Sequence, residues 1–277
     1  MILFPDCTHP TTAAYDLDHT ATIGLDGPGG AYSIHVSCPV GALPTAGWPV
    51  TYMLDGDTFP VIREILRYQV GHGAPGLPEP RMLVAVGYTG ASRRAHDYAP
   101  ECTDAHGAKT GGAAAFRKFL LGAVRQAVES RWPVDPARQT LMGHSLGGLF
   151  VLDTLFCQPG AFGTWVASSP SVWWRSGYLS AAAARFAASG GHANESTRVL
   201  LTAAEYDQSL TPAEERLPDQ AREELLQTRI ERAMVDGNRE LARVLSGVNG
   251  LTVQYRFLPG ETHRSAWPCA AAHAFRA

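Results

Sequence analysis

The chain has 277 residues, with 23 Lys+Arg against 26 Asp+Glu and a formal net charge of −3. Hydrophobic residues at 45% and charged residues at 18% are enough to bury a sizeable core, which excludes global disorder. The near-neutral balance offers no strong attraction to phosphate backbones, so nucleic acid is not an expected partner.

In chain order, Met1-Ile2-Leu3-Phe4-Pro5-Asp6 lacks the basic and apolar regions of a secretory signal. Tyr32–Val36 reads as a strand, and Pro49–Leu54 as an apolar, central one ending at Asp55-Gly56. Phe59, Ile62, Ile65 and Leu66 give Thr58–Gln69 a helical period. Arg81–Gly87 is a continuous apolar run, as for a strand covered on both faces. Ala113–Ser130 has helical spacing. Gln139–Gly143 is a short strand, and Leu146–Phe156, apolar on nearly every side, a buried helix. Gly163–Ala167 (strand), Tyr178–Ala188 (helix) and Arg198–Ala203 (strand) follow. Asp219–Leu245 is a long helical stretch, with a break expected near Asp236-Gly237-Asn238. Leu251–Leu258 alternates as a strand does, and Trp267–Ala277 forms a last helix.

The order is β-β-β-α-β-α-β-α-β-α-β-α-β-α, with one early strand not assigned to residues. Repeated strand–helix units imply an α/β fold with a mainly parallel sheet and helices on both faces. The early strands without helices suit an antiparallel N-terminal edge. No composition shift marks a boundary, so residues 1–277 read as one domain. Tyr88–Gly112 and Ser168–Ser176 are long connections, where substrate contacts tend to sit. No apolar run approaches the roughly 18 residues of a membrane helix. Cys7, Cys38, Cys102, Cys157 and Cys269 are scattered and form no C-x-x-C, which points to reduced thiols in a cytoplasmic protein and to no structural metal.

The strongest chemical signal is Gly143-His144-Ser145-Leu146-Gly147, followed by Gly148. In G-x-S-x-G the serine sits on a strained strand-to-helix turn, and the flanking glycines avoid clashes with neighbouring backbone. The turn lifts the Ser145 hydroxyl clear of the sheet and aims the Leu146 N–H at a developing oxyanion. The motif follows a strand and opens an apolar helix, the context it requires. The implied α/β-hydrolase fold places the partners in the order Ser, acid, His. After the strand Arg198–Ala203, Glu205 and Asp207 compete as the acid, with Asp207 favoured because the loop needs a residue or two to turn. After the last strand, His263 is the only one of ten histidines in the required place. His144 lines the pocket or serves packing. The second oxyanion donor is expected after Leu54, from Asp57 or, as second choice, Gly56.

Other matches carry no chemistry. Gly71-His72-Gly73-Ala74-Pro75-Gly76 has the letters of a dinucleotide loop but follows a helix and runs into prolines. Asn194-Glu195-Ser196 is a glycosylation sequon that a cytoplasmic chain does not use. The Arg93-Arg94 pair is too short for nucleic acid.

Four stretches together resemble one family. They are Tyr52-Met53-Leu54-Asp55-Gly56-Asp57; Val86-Gly87-Tyr88 with Arg94 to Pro100 (RAHDYAP); Gly143 to Phe150 (GHSLGGLF) with Ser169-Pro170-Ser171-Val172-Trp173-Trp174; and Gly260-Glu261-Thr262-His263. The chain is similar, from about Tyr32 onward, to α/β-hydrolase esterases that open the trilactone of catecholate siderophores, the enterobactin/salmochelin esterase group. The resemblance implies Ser145 as nucleophile, His263 as its base, Arg94 as the contact for an anionic substrate, and Trp173 and Trp174 as pocket walls. Some members work with a Ser–His pair alone, which leaves the acid open. Hydrolysis through an acyl-enzyme needs no cofactor; iron arrives with the small-molecule ester substrate. The alternative within hydrolases is a generic short-chain esterase or thioesterase resembling the S-formylglutathione hydrolase type. A binding protein that has lost catalysis is disfavoured by the intact Ser145, Asp207 and His263.

Overall fold

Period-two and continuous apolar runs alternate with helical ones along the chain, and the computed structural model arranges them as one sheet flanked by helices. It describes residues 19–70, 78–103, 109–190 and 197–276. Cys7, the Met1–Asp6 segment, the Gly71–Gly76 motif and the Asn194–Ser196 sequon lie outside the described residues. The strands are β1 (Thr20–Gly27), β2 (Gly30–Ser37), β3 (Trp48–Met53), β4 (Met82–Tyr88), β5 (Cys102–Thr103), β6 (Lys109–Thr110), β7 (Val134–His144), β8 (Thr164–Ser168), β9 (Thr197–Ala204) and β10 (Leu251–Leu258). Among the described residues, eight of them form a sheet in the order β1-β2-β4-β3-β7-β8-β9-β10, and β5 pairs with β6 alone. The β1–β2 and β2–β4 pairs are antiparallel and the pairs from β4 to β10 are parallel, so the antiparallel part lies at the N-terminal edge.

The helices are α1 (Phe59–Val70), α2 (Arg94–Asp97), α3 (Ala113–Phe119), α4 (Arg125–Glu129), α5 (Leu146–Cys157), α6 (Tyr178–Ala188), α7 (Asp219–Arg232), α8 (Met234–Ser246) and α9 (Ala266–Ala274). A π-helical turn, Leu120–Val124, joins α3 to α4 over the stretch expected as one helix. Core packs on both faces. Phe116, Leu120, Phe150, Leu152, Leu241 and Leu245 belong to the larger cluster. Phe59, Ile62, Leu66, Trp267 and Phe275 from α1 and the C-terminal segment cover the other face. Full burial of each such side chain is worth about 1.5–3 kcal/mol. Helix α5 is buried along most of its length because both the sheet and flanking helices cover it, which explains its apolar residues on nearly every side. Among the described residues no helix is long and apolar enough to cross a membrane.

Two particulars differ from the sequence reading. The unassigned early strand is β1, whose apolar Ile23 and Leu25 alternate with polar neighbours on a half-covered edge. The break in the long C-terminal helical stretch falls at Ala233, not at Asp236-Gly237-Asn238. Ala233 has φ 45° and ψ 41°, a left-handed bend that ends α7 and starts α8. Gly237 and Asn238 stay helical because they pack. A Cβ on Gly237 would lie 2.8 Å from Val172 Cγ2. The buried Asn238 Nδ2 donates to the Met234 and Pro170 carbonyls at 2.8 and 3.3 Å. Since Ala233 pays the Cβ penalty of the left-handed region, Ala233→Gly is expected to raise the unfolding free energy by about 1 kcal/mol. Urea unfolding should show a higher midpoint at unchanged m; a lower midpoint would contradict the assigned strain.

Candidate active site

The carboxyl ends of β3, β4, β7, β9 and β10 deliver the residues of interest to one side of the sheet, where open α/β sheets place their ligands. At the end of β7 the chain turns sharply into α5. Ser145 sits on that turn with φ 58° and ψ −116°. A Cβ on Gly143 would lie 2.6 Å from the Gly147 carbonyl oxygen, and one on Gly148 would lie 3.0 Å from Pro170. The bend therefore needs glycine at 143, and a Cβ at 148 would press on the Pro170 segment. Backbone bonds hold it: Ser145 N–H donates to Ser168 O at 2.9 Å, and Ser145 O accepts from Leu149 and Ser171 N–H at 3.0 and 3.1 Å. The Ser145 hydroxyl is 3.3 Å from the Ser171 hydroxyl.

Ser145 and His263 line the same cleft of about 580 Å³, together with Asp55, Asp57, Arg94 and His144. His263 follows β10, and its Nδ1 is 2.6 Å from Asp207 Oδ1. Asp207 is 5% exposed, and its other oxygen accepts the Ala204 N–H at 2.9 Å. Burial alone would raise the Asp207 carboxyl, but the His263 bond and that N–H outweigh it and hold the group below its ordinary value. The competing Glu205 faces the loop before the histidine, accepting Gly260 N–H on Oε2 at 2.7 Å. Of the two carboxylates, Asp207 reaches the imidazole and Glu205 braces the turn that carries it.

His144 lies tilted against His263 and stacked on Trp267, at ring-centroid distances of 4.5 and 5.8 Å. Burial, and then the charge of His263, push its imidazole down to about 3, so it is neutral at ordinary pH. Its Nδ1 lies 3.1 Å from the Ser168 hydroxyl. Gly56 approaches the end of β4 so closely that a Cβ there would lie 2.8 Å from the Gly87 backbone. Asp57, the next residue, lines the cleft, whereas Gly56 and Leu146, the first residue of α5, are not among its lining residues.

Arg94 lines the cleft, but its guanidinium is engaged. Nε donates to Asp55 Oδ1 at 2.8 Å, and Nη2 donates to Asp55 Oδ2 at 3.2 Å and to the His144 carbonyl at 3.3 Å. The acid three residues on, Asp97, instead accepts from the Tyr32 hydroxyl at 2.7 Å and sits beside the His96 ring. Trp173 and Trp174 are not in the lining of this cleft. Ser171 is tied to the elbow and Val172 is wedged against Gly237, which carries the pair away from Ser145. Trp173 is 40% exposed beneath the Arg232 guanidinium, and Trp174 packs edge-on against Tyr178. The cleft contains residues that sequence reasoning missed: Ser33, His35, Ser92, Arg264 and Trp267. They come from the antiparallel edge, the connection after β4 and the start of α9, and no local motif marks them.

The comparisons agree with this geometry. Residues 28–267 match the Esterase family. The chain belongs to this α/β-hydrolase esterase family. It is 32% identical over 259 residues to the ferri-bacillibactin esterase BesA of Bacillus subtilis, covering 88% of this chain and 83% of that one. The siderophore hydrolase EstB from Aspergillus nidulans superposes with a TM-score of 0.83 at 27% identity, over 96% and 97% of the two chains. The BES protein from Bacillus cereus gives 0.80 at 28% identity, over 97% and 98%. The esterase family makes the chain a serine-hydrolase-type enzyme.

The neutral His144 has a pH signature. An imidazole that titrates at 6.5 when unfolded and near 3 when folded contributes stability that is fully present above 6.5 and is lost as pH falls toward 3. Urea unfolding between about pH 7 and 4 should therefore show a shallower loss in His144→Gln than in the parent. Parallel slopes would contradict the buried, neutral state of this ring.

Proposed function

We propose that this esterase hydrolyses the carboxylic ester (lactone) bonds of a siderophore, a ferric catecholate in particular, through an acyl-enzyme on Ser145. The observation that carries the reading is the 2.6 Å His263–Asp207 contact, made in the same cleft as the strained Ser145. Asp207 orients the ring and stabilises the imidazolium; His263 Nε2 takes the Ser145 proton as Oγ attacks the ester carbonyl. A rotation of Ser145 Oγ away from the Ser171 hydroxyl toward His263 precedes attack, in keeping with catalytic bonds that tighten only when substrate is bound. The oxyanion is received by the N–H of Leu146, which as the first helical residue has no partner within its own helix, and by that of Asp57 or Gly56. His263 then protonates the leaving alcohol and activates the water that frees the acid.

The substrate class is supported by the relatives, which are named as a ferri-bacillibactin esterase and a siderophore hydrolase. It is supported also by the cleft. Arg264, next to the proposed base, is exposed and its side chain makes no hydrogen bond or ion pair among the described residues, so a cation is available to an anionic substrate. Tyr88 and His35, part-exposed in the lining, supply aromatic surface to catechol rings. No cofactor enters these steps; iron is part of the substrate.

Mass analysis after incubation with cyclic and linear catechol triesters tests the proposal. The parent is expected to give ring-opened and shortened products, each ester cut adding one water. Ser145→Ala is expected to lose most turnover, leaving the modest oxyanion-hole catalysis. Asp207→Asn is expected to lose roughly 10²-fold or more in kcat by misplacing the imidazole tautomer. An intact trilactone, or a Ser145→Ala enzyme near full activity, rejects the reading.

A further inference from the structure

The Nε and Nη2 edge of the Arg94 guanidinium is committed inside the protein. Its fork meets both oxygens of Asp55, at 2.8 and 3.2 Å, and its Nη2 also reaches the carbonyl of His144 at 3.3 Å. Asp55 immediately precedes Gly56-Asp57, and His144 immediately precedes Ser145-Leu146. One planar group thus bonds to the residue before each of the two segments that offer oxyanion donors. We propose that Arg94 is a positioning residue that clamps the two halves of the oxyanion hole together, with Asp55 as its counterpart. This rests on the reading of Ser145 as nucleophile and of Leu146 and Asp57 as N–H donors.

The surroundings of Asp55 fit a clamp. Its backbone is left-handed, φ 56° and ψ 64°, a conformation that needs outside support in a residue with a Cβ. The support comes from every side. Asp55 N–H donates to the buried Tyr98 hydroxyl at 3.1 Å. Asp55 O accepts from Thr58 N–H and its hydroxyl at 3.0 and 2.8 Å, and Trp267 Nε1 donates to that hydroxyl at 3.0 Å. The carboxylate is the remaining handle, and Arg94 holds it in a two-point contact that sets orientation as well as distance. Asp55 Oδ2 also lies 3.4 Å from where a Cβ on Gly147 would be, so the carboxylate packs directly on the elbow. The pair is part-buried, 33% and 15% exposed, so removing either partner strands the other. Arg94 is thus fixed along its Nε and Nη2 edge, whereas no hydrogen bond or ion pair holds the Arg264 side chain among the described residues.

The test uses a neutral aryl acetate, on which recognition of substrate charge contributes nothing. Activity is expressed per Ser145 site, counted by fluorophosphonate labelling taken to completion. Arg94→Gln is expected to lower kcat about 100-fold, the scale of a misplaced donor. KM should stay within about 3-fold of the parent. Arg94→Lys keeps the charge but cannot span two carboxylate oxygens and a carbonyl, so its kcat should fall comparably. Asp55→Asn should also lower kcat, and the double variant Arg94→Gln/Asp55→Asn should be no worse than the poorer single one. If Arg94→Gln leaves no sites to label, Arg94→Lys decides alone. A kcat within about 3-fold of the parent on the neutral ester, with losses only as raised KM on anionic esters, would overturn the clamp. Ser145→Ala separates the two failures: an active Ser145→Ala enzyme refutes the nucleophile, whereas an inactive one beside an unimpaired Arg94 variant refutes the clamp alone.

Discussion

A single backbone bend, held at φ 58° by two tightly opposed glycines, determines what the rest of this chain can do. Conformations of this kind cost about 1–3 kcal/mol and persist only where neighbouring structure over-determines them. Here the neighbours are β7 and α5, buried on both sides, and the Ser168 and Ser171 segment that bonds to both backbone groups of Ser145. In return the hydroxyl is presented at the carboxyl edge of the sheet, at the start of a helix whose first N–H groups are unpaired. The same segment that fastens the bend also dictates where Trp173 and Trp174 go.

Charge around that bend is arranged in opposed environments. Asp207 is kept ionised by its bonds despite burial, while His144, a ring's thickness from His263, is kept neutral by burial. The imidazole at 263 therefore faces one stabilising anion and no competing cation from its nearest aromatic neighbour. On the far wall, Arg94 and Asp55 neutralise each other in a fixed geometry, and Arg264 at the rim is left to the solvent side. Such separated environments let a single site hold a base, its orienting acid and a dipolar pocket for developing negative charge.

Much of this was legible before any coordinates. Strands β4 and β9 announced themselves as apolar runs, and β10 by alternation. The glycines around Ser145 carried the elbow, and chain order singled out His263. What stayed hidden has physical causes. Glu205 and Asp207 stand in one turn of 3-10 helix, and only its rotation decides which carboxylate reaches the ring. Gly237 reads as a helix breaker until Val172 is seen filling the space beside it, whereas Ala233 gives no local sign of a bend. The partner of Arg94 lies 39 residues away, and Trp267 is 209 residues from the hydroxyl it holds, beyond any pattern in a short window.

The most direct measurement is of the reactivity of the serine hydroxyl itself. Treatment with a fluorophosphonate at neutral pH, followed by intact-mass and peptide mapping, should give one adduct, on Ser145. In His263→Ala its rate of formation should fall by about 10³-fold. An adduct elsewhere, no adduct, or equal rates in the two proteins would contradict the account.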